Sequence, residues 1–303
     1  MYFFTKKICF HILLYTKRLF YPLYKRRYVM HSDTVLVLTG DKRQLYLFNY
    51  LIENDCKAIY YDNTNFTLNV LIKMCNIIVC PTPFTKDGRT VNFTGSNGKT
   101  PVYINDFLNM LNSDHKVFGF GFPKYFTDEC FFKNITLFDF ADNLELTGTN
   151  GLYTAEGVIG NIIMSTPFSI NEANCLITGF GTCGFHIADM LNKLGADVCI
   201  YDINSEKQDK AVSLGYTTFD LLKNRNLSGF NIIINTVPKN IFNSDNTFND
   251  ACYIFDISSA PYGFDDELWN SLYHAVRLPG IPGKLMPKSA GILLGKTVFS
   301  FIK

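Results

Sequence analysis

Short apolar runs alternate with amphipathic stretches from residue 34 to the end of the chain. The apolar runs have the length and composition of buried strands, and most of the stretches between them have helical spacing. The predicted strands are 34–39, 57–61, 76–80, 117–121, 134–139, 175–178, 197–201, 231–235, 252–256 and 275–278. Strands that alternate with helices in this way indicate an α/β fold with parallel sheets.

Two such domains are predicted, in keeping with a length of 303 residues. Residues 1–30 are expected to be a basic and aromatic extension outside the fold, and residues 31–145 an N-terminal α/β substrate domain. Residues 146–303 contain a GxGxxG pattern at 179–184, which is typical of dinucleotide-binding turns, and are expected to form a Rossmann domain that binds NAD(P). A hinge helix that begins at its N-cap Thr154 joins the domains. A C-terminal helix over 290–299, introduced by Pro287, returns to close the fold.

Composition and charge narrow the function classes. Hydrophobic residues make up 47 % and charged residues 18 % of the chain, which suits a folded core. The nine cysteines are scattered singly and the five histidines lack metal-ligand spacing, which indicates a reducing compartment and no metal site. Seven basic residues lie in the first 30 positions, so the rest of the chain has 21 basic against 27 acidic residues, which argues against nucleic-acid binding.

The first 30 residues have two open interpretations. They are either a basic membrane-surface segment or translated sequence upstream of a true start at Met30. Their longest uncharged run, 8–16, is too short to cross a bilayer, so we predict no integral membrane segment.

Residues 175–202 carry the strongest functional pattern, a strand, a GxGxxG turn, a helix and a second strand that ends at Asp202. In such a turn, Gly179 makes the tight turn at the end of the strand, Gly181 lets the backbone approach a pyrophosphate, and Gly184 lets the helix pack against the strand. The helix dipole then favours the phosphates. Asp202, 18 residues after Gly184, is expected to accept both ribose hydroxyls. The alternative is a glycine turn in some other βα unit.

Further cofactor contacts are expected at the carboxyl ends of neighbouring strands, where open parallel sheets bind ligands. The predicted cofactor-binding residues are Gly179, Phe180, Gly181, Thr182, Cys183, Gly184, Tyr201, Asp202, Asn235, Thr236, Val237, Pro238 and Asp256. A second glycine stretch, 95–100, is similar to a P-loop. However, Phe93 stands where that motif needs glycine, and Pro101 follows instead of a helix, so we predict an ordinary turn.

Three charged residues have alternative interpretations. Glu156 is either a first-turn residue favoured by the helix dipole or a carboxylate that touches substrate or relays a proton. Lys284 and Lys288 are either surface lysines or cations that hold an anionic substrate.

Taken in order, the motifs resemble the A subunit of dipicolinate synthase. The matching pieces are Gly40-Asp41-x-Arg43-Gln44, Pro81-x-Pro83 with Asp87-Gly88, Thr154-Ala155-Glu156-Gly157, the glycine turn, Asn235-Thr236-x-Pro238, Asp256-x-x-Ser259, and Pro279-Gly280-x-Pro282-Gly283-Lys284 with Pro287-Lys288-x-Ala290-Gly291. The resemblance covers the chain from about residue 33, and the basic first 30 residues have no counterpart in it.

This resemblance implies oxidation of dihydrodipicolinate to dipicolinate, pyridine-2,6-dicarboxylate, with NAD(P) during endospore formation. It implies that the partner is a flavoprotein-like B subunit and that the protein is located in the cytoplasm of the mother cell. We also expect the protein to be an oligomer. Arg43 is the candidate to bind one carboxylate of the substrate. The N–H groups at the Thr154 helix end, together with Lys284 or Lys288, are the candidates to bind the other. The predicted catalytic residues are thus Arg43, Thr154, Glu156, Lys284 and Lys288, and the proton acceptor is left open.

The identity of the cofactor and the activity have alternatives. Asp202 is followed by Ile203 and Asn204, and a carboxylate there repels a 2′-phosphate, which favours NAD while NADP stays open. One other activity is that of a two-domain dehydrogenase for a 2-hydroxy or 2-keto acid. It is disfavoured because no arginine follows 231–235 and His274 is its only plausible imidazole. Another is a protein that binds NAD(H) without turnover.

Overall fold

The computed structural model describes residues 33–62, 67–93 and 101–302. The predictions for residues 1–30 and for the turn at 95–100 lie outside these ranges. The chain divides into two compact units, the first made of Met1–Asp139 and Gly295–Lys303 and the second of Phe140–Leu294.

The first unit is built on a parallel sheet of five strands. Its elements in chain order are β1 Thr34–Leu38, α1 Lys42–Glu53, β2 Lys57–Tyr61, α2 Leu68–Ile72, β3 Ile77–Val79, α3 Ile104–Met110, β4 Lys116–Gly119, α4 Lys124–Phe132 and β5 Thr136–Asp139. The strands are ordered β2-β1-β3-β4-β5, so the direction in which strands are added reverses between β1 and β3. The central strands β1 and β3 are almost wholly apolar and buried, as parallel strands covered on both faces must be.

The second unit is built on a parallel sheet of six strands. Its elements are α5 Leu144–Ser165, β6 Asn174–Thr178, α6 Thr182–Lys193, β7 Asp197–Tyr201, α7 Ser205–Ser213, β8 Thr217–Thr218, β9 Ile232–Asn235, β10 Tyr253–Asp256, α8 Asp266–Ser271, β11 Ala275–Arg277, α9 Ile281–Leu285 and α10 Pro287–Ser300, whose last residues belong to the first unit. The order β11-β10-β9-β6-β7-β8 is that of a dinucleotide-binding Rossmann sheet, with its reversal between β6 and β9.

The predicted fold class, two parallel-sheet α/β domains with a Rossmann fold second, is confirmed. The ten predicted strands are all present, with ends displaced by two residues at most. Sequence analysis did not identify α2, α4, α8, α9 and the two-residue strand β8. Each missed element is short, so its apolar spacing is too brief to stand out.

The predicted start of the hinge helix was wrong. Helix α5 begins ten residues before Thr154, because the Asn143 side chain caps it by accepting a hydrogen bond of 2.9 Å from the Leu146 N–H. Thr154 lies inside the helix, where its hydroxyl donates to the Asn150 carbonyl at 2.9 Å. It therefore offers no helix-end N–H groups to a ligand.

Across the described ranges, none of the helices is both long and apolar enough to span a membrane. The eight cysteines within those ranges are all free thiols. The same residues contain no cluster of three His, Cys, Asp or Glu side chains that suits a metal ion.

Candidate cofactor site

In the glycine turn between β6 and α6, the surroundings of each of the three glycines show why glycine stands there. Gly179 has a φ of 88°, and a Cβ there would collide with the Thr236 side chain. A Cβ at Gly184 would collide with the carbonyl oxygen of Gly179, so this glycine lets helix and strand touch. At Gly181, by contrast, no described atom beyond its chain neighbours lies within 4 Å of an added Cβ. Packing requires the first and third glycines, whereas the second faces open space.

The start of α6 is suited to an anion. Gly181 is its N-cap, and within the described part of the chain no side chain accepts a hydrogen bond from the first turn of this helix. Its unpaired N–H groups and the positive end of its dipole therefore face the open space at Gly181. A dinucleotide pyrophosphate fits such a cradle, because a Cβ at position 181 would occupy the space that it needs.

Asp202 stands over the same turn. Its carboxylate is buried, with Oδ2 accepting a hydrogen bond of 2.7 Å from the Phe180 N–H and Oδ1 one of 2.9 Å from the Asn204 N–H. The half-exposed Lys207 ammonium lies 3.5 Å from Oδ2. Each carboxylate oxygen keeps a lone pair that can accept a hydrogen bond from a hydroxyl group. The local hydrogen bonds therefore orient the carboxylate and leave it able to accept further ones.

Three wholly buried polar side chains form a hydrogen-bonded row across the ends of β6, β9 and β10. The Thr178 hydroxyl donates to Asn235 Oδ1 at 2.7 Å, and Asn235 Nδ2 donates to Asp256 Oδ1 at 2.9 Å. Asp256 also accepts from the Ser258 N–H and hydroxyl and, through Oδ2, from the Gly263 N–H at 2.9 Å. Asn235 and Asp256 therefore hold the loops after β9 and β10 in place, and their polar atoms are used within the protein.

Other predicted cofactor residues contribute in different ways. The Tyr201 side chain is buried in a core cluster, and its carbonyl accepts the Gly179 N–H at 2.7 Å. The Thr236 hydroxyl donates to the Thr178 carbonyl at 2.9 Å, while Val237 is half-buried and Pro238 is exposed. The Phe180 ring packs edge-on against two aromatic rings, and its backbone N–H donates to Asp202. Thr182, at the first position of α6, is exposed.

Cys183 faces α5. Burial raises the pKa of its thiol above the ordinary value, and a hydrogen bond with the Thr154 side chain partly offsets this. A Cβ on Gly151 of α5 would lie 2.7 Å from Thr182 Cγ2, so this glycine allows α5 to pack against the first turn of α6. The thiol is thus a neutral packing group at a close helix crossing.

The predicted catalytic residues of the second unit are not gathered into a cluster by hydrogen bonds. Glu156 is exposed on α5, Lys284 is exposed on α9, and Lys288 is exposed on α10. Within the described residues, none of the three forms an ion pair.

In the first unit, Arg43 already has partners at the reversal between β1 and β3. Its Nη2 lies 2.7 Å from Asp41 Oδ2 and donates to the Thr82 carbonyl at 3.1 Å, and its Nε lies 3.0 Å from both Asp41 oxygens. The neighbouring Gln44 Nε2 bridges the carbonyls of Leu38 and Cys80 at the ends of the two strands. The fork that we predicted for a substrate carboxylate is therefore engaged by Asp41.

Comparison with known proteins identifies relatives. The family model described as the N-terminal domain of the dipicolinate synthase A subunit matches residues 34–141. The A subunit of dipicolinate synthase from Bacillus subtilis (strain 168) is 26 % identical over 281 residues, which cover 87 % of this chain and 94 % of that protein. This chain resembles the A subunit of dipicolinate synthase. The resemblance inferred from the motifs is thereby confirmed.

Solved structures show the same fold. The A subunit of dipicolinate synthase from Bacillus halodurans has a TM-score of 0.74 at 23 % identity, with 89 % of this chain and 97 % of that chain covered. An NAD-complexed D-isomer specific 2-hydroxyacid dehydrogenase of Lactobacillus delbrueckii ssp. bulgaricus has a TM-score of 0.51 at 12 % identity, covering 89 % and 96 %. The fold is thus that of the A subunit of dipicolinate synthase and, more distantly, of 2-hydroxyacid dehydrogenases.

The motifs shared with the A subunit of dipicolinate synthase include packing contacts as well as site residues. A Cβ at Gly157, in the Thr154–Gly157 motif, would collide with Ile281 of α9, so two pieces of the motif set touch within the second unit. In the first unit, hydrogen bonds from Thr90 and Arg89 hold the pKa of Asp87 below its usual range. These motifs therefore also specify the fold.

One polar residue at the carboxyl edge escaped sequence analysis. Arg277 ends β11, and its guanidinium carbon lies 4.3 Å from the ring centroid of Tyr262 and 4.4 Å from that of Trp269. A basic residue one position before the end of the predicted strand 275–278 was the available signal, because the carboxyl end of a strand lies on the ligand-binding edge.

Proposed function

We propose that this protein is an oxidoreductase that converts dihydrodipicolinate to dipicolinate with NAD as hydride acceptor. The observation that carries the proposal is the open space at Gly181, at the start of a helix whose first turn is left to an anion. The resemblance to the A subunit of dipicolinate synthase supplies the substrate class. The similar fold of an NAD-complexed dehydrogenase supports the choice of cofactor.

The reaction balances without a further co-reactant. Dihydrodipicolinate loses a hydride and a proton and becomes an aromatic pyridine, so aromatisation supplies much of the driving force. The nicotinamide ring, when bound, takes up the hydride. The protein then has to orient the ring and hold two carboxylates, while a basic side chain or water receives the proton.

Asp202 is proposed to select NAD. Its buried carboxylate is fixed over the glycine turn, and a ribose hydroxyl can donate to it. A 2′-phosphate would meet that negative charge, although Lys207 lies 3.5 Å away and would weaken the repulsion. The preference for NAD is therefore expected to be moderate.

The remaining assignments follow the resemblance. The proposed partner is a flavoprotein-like B subunit, the proposed assembly is an oligomer, and the proposed role is in the mother-cell cytoplasm during endospore formation. In the first unit, Arg43 stays a candidate for a substrate carboxylate if substrate displaces Asp41. In the second unit, Lys284 and Lys288 stay candidates for a substrate carboxylate. Glu156 remains a candidate proton relay, and Thr154 a packing residue beside the cofactor turn.

The test is a turnover assay with the full chain. Freshly generated dihydrodipicolinate is incubated with the protein and NAD or NADP, with and without the B subunit of the same organism, and pyridine absorption and nicotinamide reduction are followed together. We expect both signals to rise in a 1:1 ratio. Nicotinamide reduction with a 2-hydroxy acid, and none with dihydrodipicolinate, would instead assign the activity of the dehydrogenases that share this fold. Cofactor binding without turnover of either substrate would assign a non-catalytic role.

A further inference from the structure

Arg277 is held rigidly at the carboxyl edge of the second sheet. Its guanidinium lies over the rings of both Tyr262 and Trp269, and these contacts restrain the orientation of the group while it keeps its charge. Tyr262 has a φ of 68°, a left-handed conformation that is uncommon for a bulky residue. The adjoining Gly263 maintains it, because its N–H donates to Asp256 and its carbonyl accepts the Ile241 and Phe242 N–H groups.

Two of the three nitrogens of this guanidinium make no hydrogen bond to the described residues. Arg277 Nε and Nη2 are buried and find no acceptor among the residues that the structure describes. Asp256 is the register neighbour of Arg277 on β10, but its carboxylate already accepts hydrogen bonds from Asn235, Ser258 and Gly263. The nearest opposite charge is Asp266, whose side chain is 92 % exposed and whose Oδ1 lies 3.6 Å from Nη2. An exposed pair of this length contributes little, so a ligand can replace it.

The position of Arg277 in the sheet indicates which ligand this is. Thr178, Asn235, Asp256 and Arg277 are successive register partners, so all four stand at the same level of the carboxyl edge. Arg277 lies three strands, about 14 Å, from the glycine turn after β6. Asp202, the proposed ribose partner, is on the opposite side, after β7. The adenosine half of a dinucleotide therefore extends away from Arg277, and the nicotinamide half extends toward it.

We propose that Arg277 binds a carboxylate of the molecule that exchanges hydride with the nicotinamide. Once the ligand displaces the exposed Asp266 side chain, Nε and Nη2 form the edge of the guanidinium that pairs with a planar oxyanion through two parallel hydrogen bonds. Under the proposed function, that ligand is a pyridine or dihydropyridine dicarboxylate. The stack with Tyr262 and Trp269 sets the angle at which the diacid enters.

Calorimetric titration of the full chain, saturated with NAD, with pyridine-2,6-dicarboxylate tests this proposal. We expect Arg277→Gln to weaken diacid binding about 30-fold or more and Arg277→Lys about 10-fold, because lysine keeps the charge and loses the fork. Lys223→Gln removes an exposed charge from the same unit and is the matched control, with binding unchanged. Asp266→Asn removes the competing carboxylate and is expected to tighten binding two- to fivefold, a gain that a misfolded protein cannot give.

The two sources of an oxyanion are separated by titrating the same variants with NAD alone. If Arg277 serves the diacid, Arg277→Gln changes NAD affinity less than twofold. A loss of NAD affinity with diacid binding intact would assign Arg277 to a nucleotide phosphate and overturn the proposal. So would a wild-type chain that binds no diacid, or equal diacid binding by wild type and Arg277→Gln. Diacid binding that depends on Arg277 in a chain without turnover would uphold this inference while the oxidoreductase proposal fails.

Discussion

The two units contain similar strand–glycine–helix turns at their reversal points, but only one turn is open. In the first unit, Gly40 follows β1, and an added Cβ would lie 2.9 Å from Gln44 Cγ and 3.1 Å from Pro81. Asp41 caps α1 by accepting the Arg43 N–H at 2.9 Å. In the second unit, the corresponding cap is Gly181, which has no side chain and faces open space.

The difference explains why one turn suits a phosphate and the other does not. A carboxylate at the N-cap satisfies an N–H group, occupies the positive end of the helix dipole and repels an incoming anion. A glycine at the same position leaves the N–H groups to a ligand. Topology alone therefore does not decide which of the two turns suits a dinucleotide, because the residue at the helix cap differs between them.

The polar side chains that bridge the strand ends differ in the same way. Gln44 joins the backbone carbonyls of Leu38 and Cys80 and ends there. Asn235 joins Thr178 to Asp256 and, through Asp256, reaches the loop that carries Tyr262. The Gln44 bridge stabilises a sheet. The Asn235 bridge also connects the end of β6, before the glycine turn, with the loop whose Tyr262 ring contacts Arg277.

The largest effect is expected from closing the open turn. Gly181→Val should weaken NAD binding about 1000-fold, or about 4 kcal/mol, because the side chain fills the space needed by the pyrophosphate. Its φ of −82° suits any residue and the added atoms meet open space, so thermal stability should fall only by the small cost of valine as a poorer N-cap than glycine. Gly160→Val, on the exposed face of α5, is the matched control and should bind NAD normally. Calorimetry measures both affinities; normal NAD binding by Gly181→Val would exclude this turn as the site.

The two bridges should respond differently to removal. Asn235→Leu is expected to lower the free energy of unfolding by about 3 kcal/mol, since Thr178 and Asp256 lose buried partners, and to weaken NAD binding as well. Gln44→Leu should cost about 2 kcal/mol and leave NAD affinity unchanged. Denaturant titrations paired with calorimetry compare them. Equal effects of the two substitutions on NAD affinity would contradict the distinction between the bridges.

Replacing the carboxylate over the glycine turn should change cofactor choice. Asp202→Arg is expected to shift the ratio of NAD to NADP efficiency about 10-fold toward NADP, because a guanidinium pairs with the 2′-phosphate. Steady-state kinetics with both cofactors measures the ratio. An unaltered ratio would mean that Asp202 does not face the ribose.

The smallest effect is expected in the first unit. Asp41→Ala removes the cap of α1 and should lower the free energy of unfolding by about 1 kcal/mol, as measured with urea. NAD affinity should not change, because Gln44 and Pro81 crowd Gly40 in this turn even without the Asp41 side chain. A second NAD site in the Asp41→Ala variant would show that the cap alone had blocked the turn.

The sequence predicted the fold and the glycine turn well, because β6, the turn and β7 carry their signals within 28 residues. It failed where the deciding contacts, local or distant in sequence, leave no periodic pattern. The start of α5 depends on a cap at Asn143 and on close packing of Gly151 against Thr182. The pairing of Arg43 with Asp41 and the stacking of Arg277 are likewise set by packing and have no periodicity to reveal them.

The chain contains a single tryptophan, Trp269, which lies in the second unit and reports directly on the central claim. Titration with NADH should quench Trp269 emission and produce sensitised nicotinamide emission that saturates, and Gly181→Val should abolish both signals at the same concentrations. Absence of a saturable signal, or the same signal from both proteins, would contradict a dinucleotide site at the open glycine turn.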